Sequence, residues 1–433
     1  MKKIIVIGGG LSGLTAAYYL SKKNYHITLI EASPKLGGRT YSLINPKFDD
    51  TFDNGQHLMM GCYNATLNLI NELSSKDKIE IQKKLSVVFV DENSKQFKLE
   101  AVTNFYPFNL LLANLKYKSL SLKDRMKVID FILDIACCFK EDLENLTVLE
   151  WLLLKNQNDE TINKLWEILV VGTMNCSPEK ASALIFSNVL REIFLTGNSS
   201  AKIVLTKTGL SQIFVDPIKE ILHKNNNEIK TSEKLENIFI EKSRVKKILT
   251  NKNVYENFDD IIIAIPPYAI SKLNFIDENG KTFSPLSKIL ADDFKYSSIL
   301  NIHLWLSENI FQEKFYGLLN SEIHWIFNNG KHISITKSNA DLISDMNKDQ
   351  ILEIVYSELK NYFPIFSAEK VVDVKIIKEK RATFVPDVAS NVLRKKIISE
   401  FDNLHFIGDW TTKEFPSTIE GAILSGKNIS DSI

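Results

Sequence analysis

Cysteine is scarce in this sequence: Cys62, Cys137, Cys138 and Cys176 are the four in 433 residues, and none stands in a CxxC or Cys/His ligand spacing. That excludes a zinc ribbon or a disulfide framework, so no metal is expected and a reducing cytoplasm fits. Net charge is also absent, with 53 Lys+Arg against 53 Asp+Glu, which removes the electrostatic case for nucleic-acid binding. No run approaches the ~18 consecutive apolar residues of a spanning helix. Lys2-Lys3 and the apolar run behind them imitate a signal peptide, but Gly8-Gly9-Gly10 and Gly13 break that run, which a secretory helix would hardly tolerate. Repeats and low-complexity segments are lacking too. The 44% hydrophobic and 24% charged content is that of a globular protein, and 433 residues allow two or three domains with substantial cores.

The informative part begins at the N-terminus. Ile4-Ile5-Val6-Ile7 is short, uncharged and mostly β-branched, as a strand buried on both faces requires. Gly8-Gly9-Gly10-Leu11-Ser12-Gly13 follows at once, then a helical stretch from Leu14 to Leu20, then a second strand, Ile27–Ile30, ending on Glu31. A GxGxxG between strand and helix with an acidic residue closing the second strand is the dinucleotide-binding context. Gly8 permits the tight turn, Gly10 lets backbone approach a pyrophosphate, and Gly13 lets helix and strand pack closely. Unpaired N–H groups at the helix start, around Leu11 and Ser12, attract phosphate. Glu31 is placed to accept from both ribose hydroxyls, and its charge repels a 2′-phosphate. This much does not separate NAD from FAD.

Gly37-Gly38-Arg39 adds a second glycine turn and a cation near the same phosphates. That addition resembles the amine oxidase and phytoene desaturase flavoproteins, in which the stretch from the first strand through Gly-Gly-Arg holds FAD. Asp259–Pro267 reads as another buried strand closed by Pro-Pro, and Arg244–Ile248 as a half-exposed one. Leu404–Trp410 is a strand running into Gly408-Asp409, and a helix starts beyond Ser417, with Thr418 as its cap. The resemblance implies that the Val245 backbone contacts the adenine and that Asp409 binds the ribityl chain. It implies further that the helix start at Ile419, Glu420 and Gly421 faces flavin N1 and O2, where its positive end stabilises an anionic reduced flavin. The fold class is then α/β with α+β insertions. A discontinuous Rossmann-like FAD domain takes 1–75, 205–270 and 385–433, and a substrate domain of mixed sheet and helical cap takes 76–204 and 271–384. Within the insertions, Phe108–Leu115, Lys123–Phe139 and Leu143–Leu154 are read as helices, Ser298–Trp305 as a strand, and Lys348–Tyr362 as a helix.

Three further segments, Phe52-Asp53-Asn54-Gly55-Gln56-His57, Lys380-Arg381-Ala382-Thr383-Phe384 and Phe415–Ala422, resemble the hydroxysqualene dehydroxylases, FAD enzymes of squalene and hopanoid synthesis. The likeness implies that Gly55, Gln56 and His57 pass the isoalloxazine. It also implies a long apolar isoprenoid alcohol as substrate, hydride from reduced flavin replacing its hydroxyl, and an external electron donor. His57 is the first candidate for the acid that helps the hydroxyl leave, against the alternative of an imidazole held by backbone or flavin edge. Asp53 is read as pinning a turn, and Arg381 as binding phosphate or pairing with a carboxylate. Phe384, Trp325 and Tyr106 are candidates for a tunnel wall or for core. Phe105–Leu112, with Lys116, Lys118 and Lys123 close behind, is either a surface that dips into the inner face of a membrane or a packed face. The rivals are a carotenoid-type desaturase or an amine or porphyrinogen oxidase, with electrons flowing the other way, and a non-catalytic escort protein on the same fold.

Overall fold

The computed structural model describes the chain apart from residues 104, 105, 107, 138, 139, 284–292, 398 and 400. Its first sheet is built on β1 (Lys3–Ile7), which is followed by α1 (Leu11–Lys22) and β2 (His26–Ile30). β1 lies in the middle, paired in parallel with β2 on one side and with Asp260–Ile263 on the other. Glu228–Lys230 extends the β2 side and Leu404–Phe406 the other. The β1 side chains alternate between two cores. Ile4 and Val6 pack with α1 and the C-terminal helix Ile419–Ser432, while Ile5 and Ile7 pack against a second sheet. A strand covered on both faces must be apolar throughout, which is what the uncharged run provides. Because the chain turns to β2 on one side and reaches Asp260–Ile263 on the other, the carboxyl end of β1 is a topological switch point, where such sheets form their ligand crevice.

The second sheet runs in the order Val254–Glu256, Arg244–Thr250, Leu235–Glu241, Asn274–Ile276, Thr282–Phe283. A third, seven-stranded sheet has Tyr296–Leu306 between Val371–Phe384 and His332–Ser338, and continues through Trp325–Asn328, Phe315–Leu318, Ser86–Val90 and Gln96–Glu100. Leu300, Ile302 and Leu304 pack under the helix Lys348–Tyr362, whose bounds match the sequence reading. The alternate residues His303 and Trp305 face the other way and pack against Phe52, His303 with a tilted ring and Trp305 edge-on.

Residues 76–204 are less uniformly helical than their periodicity implies. They contribute two strands to the third sheet through a parallel pairing of Val88 with Tyr316, a contact no local pattern encodes. The expected helix Leu143–Leu154 is interrupted as well. It restarts at Val148, where the Thr147 side chain accepts from the Glu150 N–H and the Glu150 side chain accepts from the Thr147 N–H in a capping box. The helix read at Lys123–Phe139 spans Leu122–Cys137, and Phe139 lies outside the described residues. No helix among the described residues is long and apolar enough to cross a membrane.

Candidate functional site

The glycine turns meet as their spacing requires. Gly8 has φ +109°, and a Cβ there would lie 2.6 Å from the Ala264 carbonyl oxygen; at Gly13 a Cβ would lie 2.0 Å from the Gly8 carbonyl oxygen. Neither position admits a side chain without moving backbone. The second turn lies on the first: the Gly37 N–H donates to the Gly9 carbonyl at 2.8 Å, and Gly38 rests on the Gly10 Cα. No side chain caps α1 at Gly10 and no acidic residue sits in its first turn, so the N–H groups at Leu11, Ser12 and Gly13 present a positive end. The Leu11 side chain belongs to the core, and the Ser12 hydroxyl accepts from Ser425 at 3.2 Å in the packing of α1 on the C-terminal helix. Glu31 stands at the carboxyl end of β2, its two oxygens accepting the Gly9 and Ser33 N–H groups at 2.6 Å each. The carboxylate thus braces the turn while its remaining lone pairs stay available.

Arg39 spans the cleft to the far end of the chain. Its Nη2 donates to Asp409 Oδ1 at 2.8 Å, and its Nη1 donates to the Ala382 carbonyl and to Ser417 Oγ. Ser417 also donates to Asp409. Burial by itself would raise the Asp409 carboxyl, but Arg39, Ser417 and Arg394 outweigh it and hold the group below its usual range. Burial likewise opposes the Arg39 charge, and Asp409 more than restores it. The Tyr296 hydroxyl, close enough to feel both Asp409 and Arg39, is buried without a hydrogen-bond partner among the described residues. A glycine-walled turn, a bare helix start, a paired arginine and an unsatisfied phenol together fit a dinucleotide diphosphate and its ribityl chain.

Three expectations change. Val245 does not lie near the glycine turns: its N–H donates to Asn403 Oδ1 at 2.8 Å and its carbonyl accepts from Asn403 Nδ2 at 3.0 Å. Asn403 and Asp259 immediately precede parallel strands, so Val245 sits at the amino end of the sheet, opposite the crevice. The segment beside Glu31 is instead the one after Glu228–Lys230, where Glu31 N–H donates to the Lys230 carbonyl and Glu233 N–H to the Glu31 carbonyl. Glu420 is the second. Its carboxylate accepts from Ala65 N–H at 2.9 Å, Thr66 N–H at 2.8 Å and Thr66 Oγ at 2.6 Å, capping the helix Asn64–Glu72, whose own Tyr63 cap position supplies no side-chain bond. Only backbone remains for a ligand at this helix start, and even there Thr418 Oγ takes the Gly421 N–H at 3.1 Å. The Ile419 side chain lies in the core.

His57 is the third. Burial, with the nearby Arg39 charge adding to it, pushes the imidazole down to about 4, although a hydrogen bond to the Arg39 backbone works the other way. It is therefore neutral at pH 7. A proton for an acid's role is thus not resident on His57 at neutral pH. Its neighbours Gly55 and Gln56 are backed by the third sheet: a Cβ on Gly55 would lie 2.9 Å from Asn301 Nδ2, and Gln56 Oε1 accepts from Asn329 at 3.4 Å. Gly408 and Asp409 leave the strand Leu404–Phe406 at the crevice end.

Asp53 accepts from Ser42 Oγ at 2.6 Å and from the Leu210 N–H at 2.9 Å, pinning its turn, with burial pushing it up to about 6. Arg381 stacks 4.4 Å over the Tyr268 ring. Phe384 is core, packed on Phe294. Trp325 is half-buried against the helical cluster with Leu58, Met60, Ile193 and Phe194, and Tyr106 donates to the Phe194 carbonyl at 2.6 Å. Sequence reasoning missed Arg394, Tyr296 and the buried chain in which Asp50 accepts from Trp305 and meets His332 at 2.6 Å behind Phe52. Asp53 is legible as a pinned carboxylate, whereas Asp50, three residues earlier on the same strand, meets partners more than 250 positions away. Among the described residues no group of three or more His, Cys, Asp or Glu is arranged to hold a metal.

Comparison with known proteins accords with this geometry. The family of flavin containing amine oxidoreductases matches residues 11–433. A hydroxysqualene dehydroxylase of Sinorhizobium fredii is 23% identical over 433 residues, 99% of this chain and 98% of its own. One from Rhodopseudomonas palustris is 24% identical over 441 residues, 99% and 98% of the two chains. A 15-cis-phytoene desaturase of Glycine max is 22% identical over 468 residues, covering 99% of this chain and 79% of its own. Among solved structures, an oxidoreductase from Methanosarcina mazei superposes with a TM-score of 0.77 at 17% identity, covering 99% of this chain and 100% of that one. A putrescine oxidase variant does so with a TM-score of 0.75 at 15% identity, covering 100% and 98%. The superpositions establish the α/β fold, and the family match makes this chain an FAD-dependent oxidoreductase of the flavin-containing amine oxidoreductase family.

Proposed function

We propose that the protein replaces the hydroxyl of hydroxysqualene with hydrogen, giving squalene. The observation that carries this reading is the match to hydroxysqualene dehydroxylases along the full length of both chains, 98% of the Sinorhizobium fredii protein and 97% of the Zymomonas mobilis one. In this reading the turn Gly8–Gly13 with Gly37, Gly38 and Arg39 holds the diphosphate, Glu31 the adenosine ribose, and Asp409 the ribityl chain. Gly55, Gln56, His57 and the backbone at Ile419, Glu420 and Gly421 face the flavin. Reduced FAD, when bound, would supply the hydride that replaces the hydroxyl, with a proton from the medium completing the water that leaves. The chain's own part is to exclude water and to hold the substrate. Leu58, Met60, Ile193, Phe194 and Trp325 offer half-buried apolar surface for such a substrate. The strands of the first sheet fall within 1–75, 205–270 and 385–433 and those of the third within 76–204 and 271–384, which supports that division. Because Asn274–Ile276 and Thr282–Phe283 pair with the second sheet, we move the boundary at 270 to 283.

An apolar substrate also calls for a way out of the bilayer. Phe108 is 63% exposed, Leu122 65% and Met126 46%, and Lys116, Lys118 and Lys123 beside them are exposed. Phe105 and Pro107 of the segment read from sequence lie outside the described residues. We assign this face of the helical cap to peripheral contact with an anionic leaflet.

The test is anaerobic addition of hydroxysqualene to the dithionite-reduced protein. Reoxidation of the flavin in step with squalene formation supports the assignment. A protein that remains reduced and forms no squalene overturns it in favour of the desaturase reading, which the phytoene desaturase matches support and which runs on oxidised flavin.

A further inference from the structure

Arg394, on the helix Val388–Lys395, is 1% exposed and carries a full charge with no carboxylate in ion-pair range among the described residues. Its Nε donates to the Trp410 carbonyl at 3.1 Å and its Nη2 to the Phe415 carbonyl at 2.9 Å, while its plane lies 4.9 Å over the Phe384 ring. Nη1 is buried and has no hydrogen-bond partner among the described residues. Burial lowers the group to about 10, with Asp409 acting against that, so it stays charged at neutral pH. An isolated buried cation is a costly item in any fold, and packing on Phe384 alone would be served as well by an apolar side chain. The two carbonyls bracket the loop that carries the chain from Asp409 to the Thr418 cap. Arg394 and Arg39 both act on Asp409, so the loop that carries this carboxylate is set among cations.

We propose that Arg394 is a positioning residue of the cofactor site: it clamps the loop from Trp410 to Phe415 and sets a positive charge behind it, so that FAD affinity and flavin potential depend on it. This rests on the reading that the Asp409 loop holds FAD, and a wild-type protein that takes up no FAD would remove that reading before any variant is compared. The experiment is FAD titration of the apoprotein, with the flavin midpoint potential and the apoprotein Tm, for wild type, Arg394→Met and Arg394→Lys. Arg394→Met should weaken FAD roughly 30-fold and shift the potential to more negative values, because the lost bonds were made by a charged donor. Its apoprotein Tm should fall by a few degrees rather than collapse, since removing a buried charge that has no carboxylate partner offsets most of the cost of leaving the Trp410 and Phe415 carbonyls without that donor. Arg394→Lys keeps the charge and should bind within roughly 5-fold of wild type with its potential unchanged. Arg394→Met binding FAD within about 3-fold at an unchanged potential overturns the proposal, as does a loss of affinity matched by a collapse of the apoprotein Tm. Should Arg394→Met fail to fold, Arg394→Gln decides: a folded protein that loses FAD more than about tenfold at a more negative potential supports it, and one that binds FAD within about 3-fold at an unchanged potential refutes it.

Discussion

Glu420 gives the sharpest test of the geometry, because two roles for it predict opposite outcomes. In the structure its carboxylate receives three hydrogen bonds from Ala65 and Thr66 at the start of the helix Asn64–Glu72. Two of the donors are backbone N–H groups with no other cap, and the residue is 6% exposed. Glu420→Ala leaves those donors buried and unpaired, at about 1–3 kcal/mol each, and removes a negative charge from a helix N-terminus, worth up to ~2 kcal/mol in a buried setting. The expected loss is about 3–5 kcal/mol. Glu420→Gln keeps a carbonyl acceptor for one N–H and forfeits the charge, so about 1–2 kcal/mol is expected. The assay is urea unfolding of the apoprotein followed by fluorescence, with FAD titration alongside. The capping role requires a large loss of stability in Glu420→Ala before any cofactor is added. If the apoprotein of Glu420→Ala unfolds within about 1 kcal/mol of wild type while FAD affinity collapses, the carboxylate is a cofactor ligand and the assignment is wrong.

Four other outcomes follow from the structure. Gly13→Ala should give a folded but colourless protein by visible absorbance, since its Cβ would lie 2.0 Å from the Gly8 carbonyl oxygen at the floor of the cradle. Asn403→Ala should cost about 2 kcal/mol in urea unfolding through its bonds to Val245 and Asp259, yet leave the flavin spectrum of the holoprotein unchanged; a lost FAD band would return Val245 to the cofactor. Stability should fall as pH drops from 7.5 to 5. His303 is held down to about 3 and His324 to about 3 by burial, so the unfolded chain binds their protons first from about pH 6.5 downward, at about 2 kcal/mol by pH 5 for the fully buried His303. Asp53, raised to about 6, acts oppositely between 6 and its unfolded value, and a urea midpoint that rises on acidification would show that it dominates. Phe108→Asp combined with Met126→Asp should abolish sedimentation with anionic liposomes without changing FAD content; equal sedimentation of variant and wild type removes the membrane face.

What could be read without a structure was decided by neighbours in the chain. Gly8, Gly10 and Gly13 announce a cradle because backbone sterics act over a few residues, and the uncharged run from Ile4 to Ile7 announces a strand covered on both faces. Lys348–Tyr362 is legible for the same reason: its Asn347 and Gln350 cap and its apolar spacing are local. The tertiary structure decided everything that needed a distant partner or a dielectric. Glu420 is a cap because Ala65 and Thr66, more than 350 positions away, offer unpaired N–H groups. Val245 lies at the amino end of the sheet because Asn403 claims both its backbone groups. His57 is neutral because burial beside Arg39 disfavours its charge, and Arg394 matters only through carbonyls and a carboxylate brought to it by folding. Residue type sets what a side chain is able to do, but its protonation and its partner are properties of the surroundings, and those exist only once the chain has closed on itself.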